Sequence, residues 1–479
     1  MKPTLFNRII LFPLLCLVCT VQSAVAANTV DALPAPVFEA LQAAHISPAN
    51  VGLYVQDVDQ DTPIVAHKAS EAMSPASTMK LVTTYAALEL LGTNYTWKTE
   101  AFADGKMEGD VLKGNLVIKG SGDPSLTEEN FWKLLHDLRA KGLREITGDL
   151  VIDRQIFDVK NGDPGDFDGE PLKPYNVGPD ALLVNFKTMS LKMIPDEGTG
   201  MVKVVQDPEL AGISVFSHIK LVNGDCGEWK DGLEIQTTDT EKATTIIIRG
   251  KYPVECGERA YNVSILNHNR YVYALFRQLW QEMGGVIHGG VKTGETPMDA
   301  QLLGTLESRP LDTVVRDMNK YSNNVMARQL LLTLGAMCGT PGTPENGAAT
   351  VKGWLKGRGM DFPELVIENG SGLSRTARIS AEHMGQLLVS AYRSAVMPEF
   401  MASLPIAAVD GTMRKRALRQ EVAAYAHIKT GSLEGVRAIA GYVRDQKGHT
   451  KVVVFFANDP NANQCNNTLD ELLEWAYTY

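Results

Sequence analysis

The sequence predicts an α/β fold carrying a long β-rich insertion. Three observations point there: a helix signal over residues 74–92, an antiparallel meander over residues 423–456, and a mostly strand-like stretch between the two. At 479 residues with 44% hydrophobic content, the chain is globular and too long for one ordinary domain. The helix signal has Pro75 near its start, apolar residues at helical spacing and Gly92 as a stop. An opening hairpin precedes it, residues 51–56 and 63–66 around an acidic turn. The meander runs from the small apolar stretch 423–431 through strands at 436–443 and 451–456, with a turn at 445–448.

Between these halves, strands are expected at 97–103, 116–119, 150–153, 182–194, 201–205 and 244–249. One amphipathic helix interrupts them, with Phe131, Leu134, Leu135 and Leu138 on a stripe behind a Thr127 cap. Helical character returns at 271–283 and 325–334. Residues 93–264 therefore read as an inserted region of two small domains, and 27–92 plus 265–479 as one discontinuous domain.

The first 26 residues read as a cleavable secretory signal. Lys2 and Arg8 supply the positive start, residues 9–21 a short apolar run, and Ala24-Val25-Ala26 small residues for cleavage. Periplasmic export is the expected outcome. Loss of the leader removes two positive charges and no negative ones, moving the net charge from −10 to about −12. That balance argues against nucleic acid and against adhesion to an anionic membrane. No later stretch is long and apolar enough for a transmembrane anchor. Residues 468–479 are expected to form a helix packed on the sheet. Four cysteines follow the leader; the expected pairs are Cys226 with Cys256 and Cys338 with Cys465, in spacing that does not suit zinc.

Three motifs carry the chemistry: Ser77-Thr78-Met79-Lys80, Ser322-Asn323-Asn324 and Lys429-Thr430-Gly431. Ser-x-x-Lys on a helix puts the ammonium on the face of the hydroxyl, since positions i and i+3 are neighbours. The helix start adds partial positive charge beside the nucleophile. Two decoys fail this test. Ser217 and Lys220 sit on an expected strand, where residues three apart face opposite ways. Lys292-Thr293-Gly294 reads as a loop and precedes the Ser-x-Asn motif, so it is out of order.

The ordered triplet, the 245 positions between Ser77 and Ser322, and a further segment Asn369-Gly370-Ser371-Gly372-Leu373-Ser374-Arg375 resemble the class C low-molecular-weight penicillin-binding proteins. The resemblance covers nearly the whole chain after the leader. It implies an αβα transpeptidase/β-lactamase-like domain with an antiparallel sheet, two inserted domains, and D-Ala-D-Ala carboxypeptidase and endopeptidase activity on peptidoglycan stem peptides and cross-links. It also implies acylation by β-lactams, with no cofactor and no metal. In this numbering it makes Ser77 the nucleophile and Lys80 its base, with Ser322 relaying a proton and Asn324 holding a substrate amide. Lys429 and Thr430 would take the terminal carboxylate, and the amides of Ser77 and Ser432 would form the oxyanion hole, next to Leu433. For meso-diaminopimelate, the resemblance points to Arg375 for the carboxylate. Asp153 and Phe157 are the candidates for its ammonium and aliphatic stem, and Glu434 a further acidic neighbour. The rival readings are a β-lactamase, which needs an added base for deacylation that no motif supplies, and a non-catalytic peptidoglycan-binding or β-lactam-sensing protein. A Ser-His-Asp hydrolase lacks its Gly-x-Ser-x-Gly elbow.

Overall fold

A computed structural model describes Met1 and residues 31–479, except 161, 241, 242, 417 and 420. All but the first residue of the expected leader therefore lies outside the described residues. Five antiparallel strands form the central sheet, in the order Ala426–Leu433, Val436–Arg444, Thr450–Asn458, Val51–Asp57 and Val65–His67. Alternation along Thr450–Asn458 explains the layering. Val452, Val454 and Phe456 enter one core, while Val453, Phe455 and Ala457 enter another. Both faces are thus apolar and both need cover. The helices Ala35–Ala43 and Asn466–Thr478 cover one face; Lys80–Leu91, Asn324–Ala336 and Ala381–Tyr392 cover the other. The expected C-terminal helix packs on the sheet through Leu469, Leu472, Leu473 and Ala476.

Two further sheets lie between the first and second motifs. A six-stranded sheet runs Leu233–Asp239, Thr244–Pro253, Ile213–Val222, Met201–Asp207, Met189–Asp196 and Arg259–Val263. A seven-stranded sheet is built on the hairpin Lys98–Glu108 and Val111–Gly120. Its later strands Val286–Ile287, Val291–Thr293 and Gln301–Glu307 carry this layer past residue 264. The helix His268–Glu282 joins the same core as both sheets. The helix Glu128–Ala140 forms where its stripe predicts, with Thr127 accepting from the Asn130 amide.

Three expectations need correction. Over 182–194 only Met189–Asp196 is strand, because Asn185, Phe186 and Lys187 all take positive φ and turn the chain inward. The apolar residues before that turn are buried without pairing. Lys292 and Thr293 lie on a short strand, not a loop, paired in parallel with Val151 and Ile152. Cys226 and Cys256 are bonded, but Cys338 is free and exposed while Cys465 is free and buried in the sheet core. Burial pushes the Cys465 thiol up to about 11. Among the described residues, no helix is long and apolar enough to cross a membrane.

The Cys226–Cys256 bond ties together the ends of a stretch with a sequence separation of 30. Closing a loop of that size restricts the unfolded chain by ~2–4 kcal/mol. Cys226→Ser with Cys256→Ser should lower unfolding stability by that order, read from the urea midpoint of the six-stranded region. An unchanged midpoint would contradict this.

Candidate active site

Each motif owes its position to a local backbone device. Residues Ala76–Met79 form a 3-10 turn that runs into the helix Lys80–Leu91. In a 3-10 turn residues i and i+3 eclipse, which stacks Lys80 over Ser77 more directly than an α-helix would. Lys80 Nζ lies 3.0 Å from Ser77 Oγ. Thr78 closes the turn by bonding Pro75 O through both its amide and its hydroxyl. The second motif is a corner between two helices. Ser322 has φ +57 after the helix Leu311–Lys320, and Asn323 then caps the next helix by accepting from the Met326 amide at 3.0 Å. An asparagine suits that place as an N-cap. The corner aims Ser322 Oγ at Lys429 Nζ, 2.8 Å away, and places Asn324 Oδ1 2.7 Å from Lys80 Nζ.

The third motif sits on the edge strand Ala426–Leu433, which runs beside the Ser77 turn. Gly431 makes this possible: a Cβ there would meet Pro75 O at 2.7 Å and Ser77 N at 3.0 Å. A second close approach comes from Asn369 to Leu373. Asn369 Oδ1 accepts from the Ser371 amide and hydroxyl, and its Nδ2 donates to Leu373 O. That knot turns the Ser371 carbonyl onto Lys80 Nζ at 2.6 Å. Gly372, at φ +75, packs so tightly that a Cβ would lie 1.8 Å from Ala76 O.

Both lysines are fully buried, and all their bonded partners are neutral. Lys80 has Ser77 Oγ, Asn324 Oδ1 and Ser371 O; Lys429 has Ser322 Oγ and Thr430 O. Burial holds the Lys80 ammonium well below the usual lysine range, and the positive charges of Lys429 and Arg328 push it further down. Burial brings Lys429 down to about 7. A neutral Lys80 has two N–H bonds and one lone pair. Asn324 Oδ1 and the Ser371 carbonyl accept the two protons, which leaves the lone pair facing the Ser77 hydroxyl. That is the arrangement of a base beside its nucleophile.

The family model described as D-Ala-D-Ala carboxypeptidase 3 (S13) matches residues 33–479. The chain belongs to this family. The S13 chain is 25% identical over 413 residues to the D-alanyl-D-alanine carboxypeptidase DacB of Haemophilus influenzae, spanning 86% of this chain and 85% of that protein. It is 27% identical over 422 residues to the D-alanyl-D-alanine carboxypeptidase of an Actinomadura species, spanning 83% and 76%. Its fold matches the crystal structure of penicillin binding protein 4 (dacB) from Haemophilus influenzae with a TM-score of 0.79, at 24% identity, over 92% of this chain and 99% of that one.

The remaining expected residues of this S13 site divide into two groups. Arg375 and Glu434 come together at the rim, with Arg375 Nη2 3.7 Å from Glu434 Oε2 and the guanidinium over the Phe167 ring. Thr430 Oγ1 bonds Thr412 Oγ1 at 2.8 Å, Ser432 Oγ accepts from Arg437, and half-buried Leu433 follows it on the strand. Asp153 and Phe157 form the second group. Asp153 is 3% exposed, and its carboxylate accepts from Gln155 N, Thr296 N and Thr296 Oγ1. Phe157 packs with Ala181 and Leu332 in a small core of its own. The decoy Ser217 is bonded to the Val202 carbonyl across its sheet. Sequence reading passed over Arg328 and the Ser371 carbonyl. Arg328 was open to discovery, since it is four residues from Asn324 on the same helix face.

Replacing Gly372 with alanine forces a side chain against the Ala76 backbone at a φ that alanine resists. Gly372→Ala should cost ~1–3 kcal/mol in urea unfolding and displace the Ser77 turn. A variant of native stability would refute the tight fit.

Proposed function

We propose that this S13 chain is a serine-type D-Ala-D-Ala carboxypeptidase that works through an acyl-enzyme on Ser77, also cleaves peptidoglycan cross-links, and is acylated by β-lactams. The observation that carries this reading is Lys80 Nζ 3.0 Å from Ser77 Oγ, with Asn324 Oδ1 and Ser371 O as its two other partners. Lys80 takes the proton as Ser77 Oγ attacks the penultimate D-Ala carbonyl. The resulting oxyanion falls to the amides of Ser77 and Ser432, where each donor contributes ~3–4 kcal/mol of transition-state stabilisation. Lys429 and Thr430 hold the terminal carboxylate, and Ser322, bonded to Lys429, relays to the departing D-Ala amine the proton that Lys80 took from Ser77. Asn324 keeps its Nδ2 for a substrate carbonyl, since its Oδ1 is spent on Lys80. Water then releases the acyl group, and in endopeptidase action the leaving amine belongs to a neighbouring stem.

The substrate is proposed to be a stem peptide containing meso-diaminopimelate. Arg375 meets its side-chain carboxylate, and Glu434 beside it offers a partner for the ammonium. Export to the periplasm is proposed from the leader composition and is supported by the Cys226–Cys256 bond, which persists in oxidising compartments. Binding of a β-lactam is supported by a solved complex of Haemophilus influenzae penicillin binding protein 4 with a novel β-lactam.

Purified enzyme should release D-Ala from monomeric muropeptides and open cross-linked ones, with both activities abolished by Ser77→Ala. Product formation surviving in that variant would remove the mechanism. Acylation by a fluorescent penicillin should follow a bell in pH. It rises as Lys80 loses its proton and falls as Lys429 loses the charge that holds the carboxylate, above about 7. Lys429→Met removes a positive neighbour from Lys80, so the rising limb should move to higher pH. A limb that stays in place would show that the two ammonium groups do not interact.

A further inference from the structure

A second stretch of chain, residues 404–413, closes the outer side of the edge strand Ala426–Leu433. Ile428 N donates to Pro405 O at 2.8 Å, and Ala407 N donates to Ala426 O at 2.9 Å. Beyond these bonds the stretch turns toward Thr430. Asp410 fixes the turn: its Oδ1 accepts from the Ile406 amide at 2.8 Å, and its two oxygens accept from Lys320 Nζ at 2.9 and 2.7 Å. Lys320 is only 3% exposed and stands two residues before Ser322. Gly411 follows at φ +55, where a Cβ would lie 2.6 Å from Lys320 O. Met413 then enters the sheet core. Thr412 is thus an exposed residue held from both sides, by a close backbone approach and by a buried methionine.

What this framework holds in place is a hydroxyl. Thr430 Oγ1 donates to Thr412 Oγ1 at 2.8 Å. Each threonine hydroxyl has one proton, so a bonded pair has two: one lies between the oxygens and one remains for a ligand. The pair therefore presents one donor, polarised by the bond behind it and restricted in its rotation. A lone Thr430 hydroxyl would rotate without that restraint. Lys429 Nζ donates to the carbonyl of the same Thr430 at 2.8 Å, so ammonium and hydroxyl stand on neighbouring residues. Lys320 matches the charge of Asp410, so the stretch brings its hydroxyl to Thr430 without an unpaired carboxylate.

We propose that Thr412 is a positioning residue for the terminal carboxylate of the peptide: by bonding the Thr430 hydroxyl, it fixes the direction in which the pair offers its free proton. The Asp410–Lys320 pair and Gly411 hold it there. The assignment rests on the carboxylate role proposed above for Lys429 and Thr430. Holding a carboxylate needs no bond cleavage, so binding tests the assignment apart from catalysis.

The probes are diaminopimelyl-D-Ala-D-Ala with its terminal carboxylate free and the same peptide with that carboxylate amidated. Both are measured by calorimetry on the full protein carrying Ser77→Ala, which should bind the acid more tightly than the amide. Adding Thr412→Val should weaken the acid ~5-fold, the order of one hydrogen bond, and leave the amide unchanged. Thr412→Ser, which keeps the hydroxyl, should bind the acid as the parent does. The loss in Thr412→Val should vanish when Thr430→Val is already present, because Thr412 acts through that hydroxyl. An acid bound no better than the amide, an acid indifferent to Thr412→Val, or equal loss for both peptides overturns the assignment. So does a loss that Thr412→Ser shares, or one that persists in full without the Thr430 hydroxyl. An acid preference that depends on Thr412, in a protein whose native form cleaves no peptide, would leave the assignment standing and remove the activity reading instead.

Discussion

Two lysine side chains buried in one pocket without a carboxylate between them set the terms for everything around them. An ammonium removed from water must be neutralised, paired or held at great cost. Here Lys80 and Lys429 touch only neutral oxygens, and the charge of Lys429 adds to the cost of an ammonium on Lys80. The pair relaxes by releasing a proton from Lys80, whose ammonium feels the greater repulsion. The proposed role of Lys80 as a base depends on that lowered affinity for its proton. Buried ammonium groups favour unfolding as pH falls, because the unfolded chain takes up those protons more readily. The pocket thus trades stability for reactivity.

Holding such a pair requires rigid surroundings, and the fold supplies them from four separated stretches. The 3-10 turn fixes Ser77 under Lys80, the asparagine-capped corner fixes Ser322 and Asn324, and the edge strand fixes Lys429. The Asn369 knot directs a main-chain carbonyl at Lys80. The approaches work only because Gly372 and Gly431 leave no Cβ in the way. An ion pair binds two of these stretches together. Lys320, at the end of the helix before Ser322, is bonded through both oxygens of Asp410, whose loop meets Thr430 through Thr412.

Much of the framework was legible in the residues. The 3.6-residue stripe of Phe131, Leu134, Leu135 and Leu138, the meander after residue 423 and the three motifs in order depend on short-range patterning, and each lies where that patterning placed it. What local pattern left open was decided by distant neighbours. Asp153 stands at a strand end, and Thr296, 143 positions away, donates to its carboxylate. Cys338 and Cys465 have the composition of a disulfide, yet one is exposed and the other is buried at the start of the C-terminal helix. Residues 185–187 leave the strand because all three take positive φ, which no periodicity announces.

The most direct test of the central claim is the ionisation of Lys80 itself, followed by NMR with lysine carrying ¹³C at the ε position and assigned against Lys80→Met. The Lys80 resonance should titrate well below the ordinary lysine value of 10.5. A resonance that remains that of an ammonium until the pH reaches the ordinary range would contradict the role of Lys80 as the base.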